Sequence, residues 1–252
     1  MSEIQKGLVY AIIPARSGSK GVVDKNIRKV AGHPMLAYSI AAAQLTPGIQ
    51  RIIVSTDSPK YAEISCQYGA ETPFLRPESI SGSKSTDIEF MLHAIKWFQD
   101  NEQVLPEFWV HLRPTAPLRD PSILQSALEK MLHDPTADSL RSAHRSEACP
   151  FKWFWKSEDG YFQTLNGISL DDANGPRQAF PTVYIPDGYV DILRTSYIQQ
   201  YHLLHGKRMI AFESPENTID VDHISDFEKL QETVSREKND LAIYLNRIVG
   251  ER

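Results

Sequence analysis

Leu8-Val-Tyr-Ala-Ile-Ile13 is a continuous apolar run, short enough for a strand and apolar on both faces, as a strand inside a covered sheet must be. It breaks at Pro14 into a loop holding Gly18 and Gly21. Apolar residues then return at helical spacing over Met35–Gln44 (Leu36, Ile40, Ala43), and Arg51–Thr56 reads as a second strand. Pro59 stands where a helix tolerates proline, in the first turn, and Gly69 stops that helix. A short strand is predicted at Thr72–Leu75. Ser85-Thr86-Asp87 predicts a cap for a helix running through Phe98. Phe108–Leu112 is the next strand and Pro121–His133 the next helix. Near the end, Arg208–Phe212 and Thr218–Val221 read as strands, and Ile224–Val249 as helix broken near Lys238.

Strands alternating with helices predict an α/β fold with a mostly parallel, doubly wound, Rossmann-like sheet. The stretch from Ala148 to Ile192 interrupts the alternation. Phe151-Lys-Trp-Phe-Trp155, the turn Glu158-Asp-Gly160 and Tyr161–Leu165 predict a projecting antiparallel hairpin. So aromatic a ribbon is expected to dock, on a second subunit or back on its own domain.

Composition narrows the function. With 252 residues, 41% hydrophobic and 23% charged, the chain has room for one large α/β domain. No apolar run approaches the roughly 20 residues needed to span a bilayer, so no membrane association is expected. Met1–Gly7 is polar and leads straight into a strand, unlike a signal peptide. Cys66 and Cys149 are far apart and lack metal-site spacing, and a cytoplasmic setting is expected. A net charge of −5 argues against nucleic-acid binding. Against that balance, Arg16, Lys20, Lys25, Arg28 and Lys29 crowd one loop with a single acid, Asp24. A solvated basic loop would look the same on charge alone. Its place after the first strand, where open sheets bind ligands, favours an anion site.

Neither familiar phosphate loop is present: there is no G-x-x-x-x-G-K-[ST], and no G-x-G-x-x-G follows the first strand. Ile13-Pro-Ala-Arg-Ser-Gly-Ser-Lys-Gly21, followed by Lys25-Asn26, instead resembles the signature loop of the acylneuraminate cytidylyltransferases. The resemblance continues through Arg51-Ile-Ile-Val-Ser-Thr-Asp57, Leu75-Arg-Pro77, Arg113-Pro-Thr-Ala-Pro-Leu-Arg119, Gly175-Pro-Arg-Gln178 and Ile219-Asp-Val-Asp222. It implies a single cytidylyltransferase domain over 1–252 with a dimerisation hairpin at 148–192. The implied reaction is attack of the anomeric hydroxyl of a nonulosonic acid on the α-phosphate of CTP, with release of pyrophosphate.

Such a transfer needs positioning and charge neutralisation more than covalent help. Arg16, Lys20 and Lys25 are candidates to hold the phosphates, beside Ala15, Ser17 and Gly18; the resemblance places Asn26 near the ribose or base. The resemblance also places the helix start at Ser85-Thr86-Asp87 near the nucleotide, with Ser85 and Asp87 as candidates to bind it. Asp220 and Asp222 alternate with Ile219 and Val221, which on a strand puts both carboxylates on one face, about 6.6 Å apart. That spacing suits Mg²⁺ shared with phosphates, although an acidic outer face would show the same pattern. Arg16, Lys25 and Asp222 are the expected catalytic residues.

For the sugar, the resemblance points to Arg113, Thr115, Lys152, Arg177, Gln178 and Asp187, with Lys152 reaching into the site of a dimer partner. The chain departs from the family around the sugar. Arg113 replaces a usual glutamine, Ile185 an arginine, Asp187 an asparagine, and Leu203-Leu204 two aromatics. Legionaminic, pseudaminic or deaminated acids therefore join neuraminic acid as substrate candidates. Competing readings are a Kdo cytidylyltransferase, a metal-dependent glycosyltransferase and a nucleotide-sugar sensor.

Overall fold

The first apolar run is the centre of a longer strand, β1 (Glu3–Pro14), whose residues Val9–Ile13 are all buried. After it come the two-residue strands β2 (Lys29–Val30) and β3 (His33–Pro34), helix α1 (Met35–Leu45), β4 (Arg51–Ser55) and α2 (Pro59–Gln67). Next are α3 (Asp87–Asn101), β5 (Val104–His111), α4 (Pro121–His133) and β6 (Ser139–Arg145). The hairpin strands β7 (Phe154–Lys156) and β8 (Phe162–Thr164) lead through α5 (Leu170–Ala173) to β9 (Tyr184–Arg194). The chain closes with α6 (Thr195–Tyr201), β10 (Met209–Glu213), α7 (Ile224–Arg236) and α8 (Asp240–Gly250). This computed structural model describes residues 3–18, 22–215, 218–236 and 239–250.

Six strands form one sheet in the order β10-β6-β9-β5-β1-β4. β1 pairs parallel with β4 and β5, and β10 parallel with β6, whereas β9 runs antiparallel to both β5 and β6. Helices cover both faces. On one, Met35, Leu36 and Ile40 of α1, Leu124 and Leu128 of α4, and Phe227 and Leu245 share a core with the sheet. On the other, Phe90, Met91 and Phe98 of α3 pack on Ile12 and Trp109. Helix α1 is buried on nearly every side, because α8 lies over it.

The predicted helix ends are built as expected. Ser58 Oγ accepts from Tyr61 N at 3.4 Å, Pro59 opens α2, and Gly69 takes a left-handed φ of 86° just past its end. Thr86 caps α3 in a reciprocal box with Glu89.

Three predictions need correction. Thr72–Leu75 is not a strand. One isolated bridge, Thr56 to Leu75, falls in it and another, Ile53 to Glu71, just before it, because Pro73 and Pro77 remove amides that a ladder needs. Thr218–Val221 is irregular chain, yet its alternation survives: Ile219 and Val221 are buried while Asp220 and Asp222 face outward. The excursion ends before β9, which belongs to the central sheet, and not at 192. Its hairpin does not fold back on its own domain: Trp153, Phe154, Trp155, Tyr161 and Phe162 are each 43–72% exposed. Among the described residues no helix is long and apolar enough to cross a membrane.

Candidate active site

The loop after β1 is fixed by its own polar groups. Ala15 N donates to Ser55 O at 2.9 Å, which holds the chain against β4 for one residue beyond the strand. Ser17 then donates its amide (2.7 Å) and its hydroxyl (2.5 Å) to the two oxygens of Asp57. Burial alone would raise the Asp57 carboxyl, but these Ser17 bonds outweigh it and hold the group below the usual range. Gly18 sits at φ 68°, where a side chain would be strained. Arg16 leans over the turn, donating to Gly18 O at 3.3 Å, and buried Asn26 donates to Arg16 O at 3.0 Å. Lys20 lies outside the described residues.

Asp57 is therefore a positioning residue for this loop. Asp57→Ala removes two bonds at once, and the ligand concentration needed to half-saturate this cavity is expected to rise about tenfold. Steady-state kinetics reads this directly; an unchanged KM with normal folding would dismiss the role.

The opposite wall comes from the far end of the chain. Val221 N donates to Thr115 O at 2.8 Å, and Asp226 accepts the amides of Asp222 (3.0 Å) and His223 (2.8 Å). The segment is thus anchored on both sides of Asp222. Lys25 Nζ reaches across to it, 2.7 Å from Val221 O and 3.3 Å from Asp222 Oδ1. Loss of solvent raises the Asp220 carboxyl above the usual aspartate range, and the nearby charge of Asp222 adds to it.

Between these walls lies a cavity of about 440 Å³. Arg16, Lys25, Asn26 and Asp222 line it together with Ser85 and Asp87 at the start of α3 and Arg113 and Thr115 after β5. It opens at the carboxyl ends of β1, β4 and β5, where a parallel sheet offers its ligand crevice. Thr86 of the predicted cap lines the cavity too, whereas Arg76 and Phe90, which also line it, escaped the pattern reading. Arg76 is 5% exposed, donates to Ser55 Oγ (3.1 Å) and Ser55 O (2.7 Å), and lies over the Phe90 ring. Burial pulls its guanidinium down to about 10, so it stays charged at neutral pH. The only mark of it in the sequence is Leu75-Arg-Pro77.

A family model described as cytidylyltransferase matches residues 10–237, which include every wall of this cavity. The chain belongs to the cytidylyltransferase family. An N-acylneuraminate cytidylyltransferase of Escherichia coli O18:K1:H7 is 31% identical over 97% of this chain and 57% of its own length. A CMP-N,N'-diacetyllegionaminic acid synthase of Legionella pneumophila is 37% identical over 53% of this chain and 56% of its own. A post-translational flagellin modification protein B of Campylobacter coli is 29% identical over 92% and 96%. The chain thus spans a little over half the length of the neuraminate and legionaminate relatives. A solved CMP:2-keto-3-deoxy-manno-octonic acid synthetase in complex with CTP shares the fold. Its TM-score is 0.67 at 16% identity, covering 91% of this chain and 99% of that one.

Four of the expected sugar residues lie elsewhere in the chain. Lys152 Nζ donates to Gly175 O at 2.7 Å, inside the excursion. Arg177 donates to Ser146 O at 3.1 Å, and with Gln178 it lines a separate hollow at the base of the excursion. Asp187 is a correction. It is 5% exposed, accepting from Ser142 Oγ (2.7 Å), Tyr189 N (3.0 Å) and Ser214 Oγ, so its carboxylate is consumed inside the sheet.

Beside the cavity a second buried carboxylate, Asp191, lies among His111, Arg141 and Arg113. Burial would push it up, but His111 and the two arginines outweigh that and hold it at about 2. An unfolded aspartate titrates near 3.9, so its ionised form stabilises the fold above that pH. On the order of 2 kcal/mol should be lost as pH falls from about 4 to about 2. Asp191→Asn should flatten that part of the stability profile; an identical acid limb would contradict the pairing.

Proposed function

We propose that the protein transfers CMP from CTP to the anomeric hydroxyl of an acidic nonulosonic sugar and releases pyrophosphate. The observation that carries this reading is the meeting of Lys25 and Asp222 across one cavity that also holds Arg16 and Arg76. The names of the neuraminate and legionaminate relatives supply the sugar class. A triphosphate brings about four negative charges, and two unit charges 4 Å apart still interact by ~4 kcal/mol at an effective dielectric of 20. Arg16, Lys25 and Arg76 supply the counter-charge, and Ser17 and Gly18 offer backbone close to the phosphates. Asn26, Ser85 and Asp87 face the nucleoside end, while Arg113 and Thr115 face the acceptor. Lys25 gives two of its three donors to Asp222 and Val221 O, and the third, or a turn of the side chain, would serve phosphate oxygens when the triphosphate enters.

Asp220 and Asp222 fit a magnesium ion. Asp222 is open to the cavity, with its side chain 68% exposed, and its charge reaches Asp220. Mg²⁺ is a hard cation held by one or two carboxylates and completed by phosphate oxygens and water, which is what this pair could offer. Bound there, Mg²⁺ would neutralise phosphate charge and polarise the α-phosphate. Because the Asp220 carboxyl is raised, acidification should protonate it before an ordinary aspartate near 3.9. The Mg²⁺ concentration for half-maximal activity is therefore expected to climb on the acid side above that pH. A magnesium requirement flat down to pH 4 would remove Asp220 from the site.

The exposed aromatics of the β7–β8 hairpin support docking on a second copy, which would carry Lys152, Arg177 and Gln178 to a shared site. Two free thiols support a cytoplasmic setting. The deciding assay is pyrophosphate release with CTP and Mg²⁺ across neuraminic, legionaminic and pseudaminic acids, Kdo and no sugar. Release with a nonulosonic acid is expected. Release with Kdo alone rejects the proposal, and hydrolysis of nucleotide sugars without CTP consumption indicates a glycosyltransferase.

A further inference from the structure

Three neighbouring strands bring a row of charge to one level of the sheet, next to the nucleotide cavity. His111 on β5 pairs with Asp191 on β9, and Asp191 pairs with Arg141 on β6. Directly opposed residues in antiparallel strands project from the same face, so the three side chains stand in line. Phe90 of α3 packs edge-on against His111 at 5.5 Å and identifies that face as the one carrying α3. Asp191 is the closed centre of the row, its side chain 4% exposed, while Arg113 and Arg141 are each about 30% open.

One carboxylate holds both arginines. Arg113 Nη2 lies 3.5 Å from Asp191 Oδ2, and Arg141 Nε lies 3.6 Å from Asp191 Oδ1. A guanidinium has five N–H donors. Asp87 takes one more from Arg113 at 2.7 Å, and the terminal nitrogens of Arg141 have no partner among the described residues. Arg113 also lines the cavity, so donors run from the cavity wall outward to Arg141 on one shelf. The triphosphate has its own cations, Arg16, Lys25 and Arg76. The arginines of the shelf are left for a second anion. A planar carboxylate matches paired guanidinium donors better than any uncharged sugar group does.

We propose that Arg113 and Arg141 together bind the carboxylate of the acceptor acid, and that Asp191 is the positioning residue that fixes both guanidinium groups. This rests on the nucleotidyl-transfer reading and deepens it. Arg141 becomes a determinant of acceptor choice, acting on the acid and not on CTP.

The test uses whichever of N-acetylneuraminate, N,N'-diacetyllegionaminate and pseudaminate has the highest kcat/KM, together with its methyl ester. Arg141→Gln is expected to raise the KM for the acid about tenfold or more and to collapse the preference for acid over ester. The KM for CTP should change less than about twofold, which a merely structural defect would not respect. Arg141→Lys should restore part of the preference, because it returns the charge without the fork. Asp191→Asn should weaken the acid preference as well, but Asp191 is buried, so the open Arg141 decides. A wild type that turns over while Arg141→Gln keeps the full preference for the acid overturns this assignment alone. A wild type that releases no pyrophosphate with any of the three acids overturns it along with the functional reading.

Discussion

Asp222→Asn is expected to lower turnover by about a thousandfold or more while leaving the fold intact. The side chain is 68% exposed, and its one ion pair, with Lys25, contributes at most about 1 kcal/mol to stability in so open a setting. The backbone around it is held by Asp226 and Thr115 and does not depend on its carboxylate. What the substitution removes is a negative charge facing a cationic loop across the cavity, where the proposed reaction would bring magnesium and the triphosphate together. The loss should therefore appear in kcat, with the melting temperature within a degree or two of wild type. Activity within tenfold of wild type would take Asp222 out of the mechanism.

The largest effect on stability is expected at Arg119, which is 2% exposed. Its guanidinium donates to Tyr189 O (2.5 Å), Ser39 Oγ (2.9 Å), Arg113 O (2.8 Å) and Gly188 O (3.0 Å). One side chain thereby ties α1, the loop after β5 and the turn within β9 together beneath the cavity. Burial pulls its guanidinium down to about 10, and the nearby Tyr189 and Asp220 oppose the fall. Arg119→Ala leaves those acceptors unpaired and a hole in their midst, a loss of about 3–5 kcal/mol. Against a typical total of 5–15 kcal/mol, that brings the fold to the margin. Arg119→Lys should recover little, since one ammonium cannot span acceptors arranged around a planar fork. Chemical denaturation measures both; a loss under about 1 kcal/mol for alanine would contradict the account.

Much of this was legible in the residues. The apolar run to Ile13, the helix over Pro121–His133 and the cap at Thr86 all stand where local pattern puts them. Local chemistry decides each of them: continuous apolar side chains, a proline after an acid, a hydroxyl three residues before a glutamate. The cationic loop and the alternation of Ile219 to Asp222 were legible for the same reason, although the second is not a strand.

β6 and β9 escaped because their sequences do not read as strands. Arg141, His144 and Arg145 interrupt the first, and Pro186, Asp187, Gly188 and Asp191 the second. Those polar residues are tolerated because they pair with each other across the strands, a property no single segment carries. Arg76 escaped for a related reason. Its burial beneath the cavity follows from the pairing of its segment with β4, and no feature of Leu75-Arg-Pro77 alone marks it as a cation facing the ligand. Asp187 misled in the other direction: the resemblance points it at the sugar, but the fold closes two serines over its carboxylate.

The claim beneath all of this is that one triphosphate lies between the basic loop and the Asp220–Asp222 segment. A crystal structure with CTP and Mg²⁺ bound tests it most directly. The account predicts phosphate oxygens within hydrogen-bond reach of Arg16 and Lys25, and a magnesium ion joining those phosphates to Asp222. Triphosphate density in any other hollow, with Lys25 still bonded to Asp222, would contradict it.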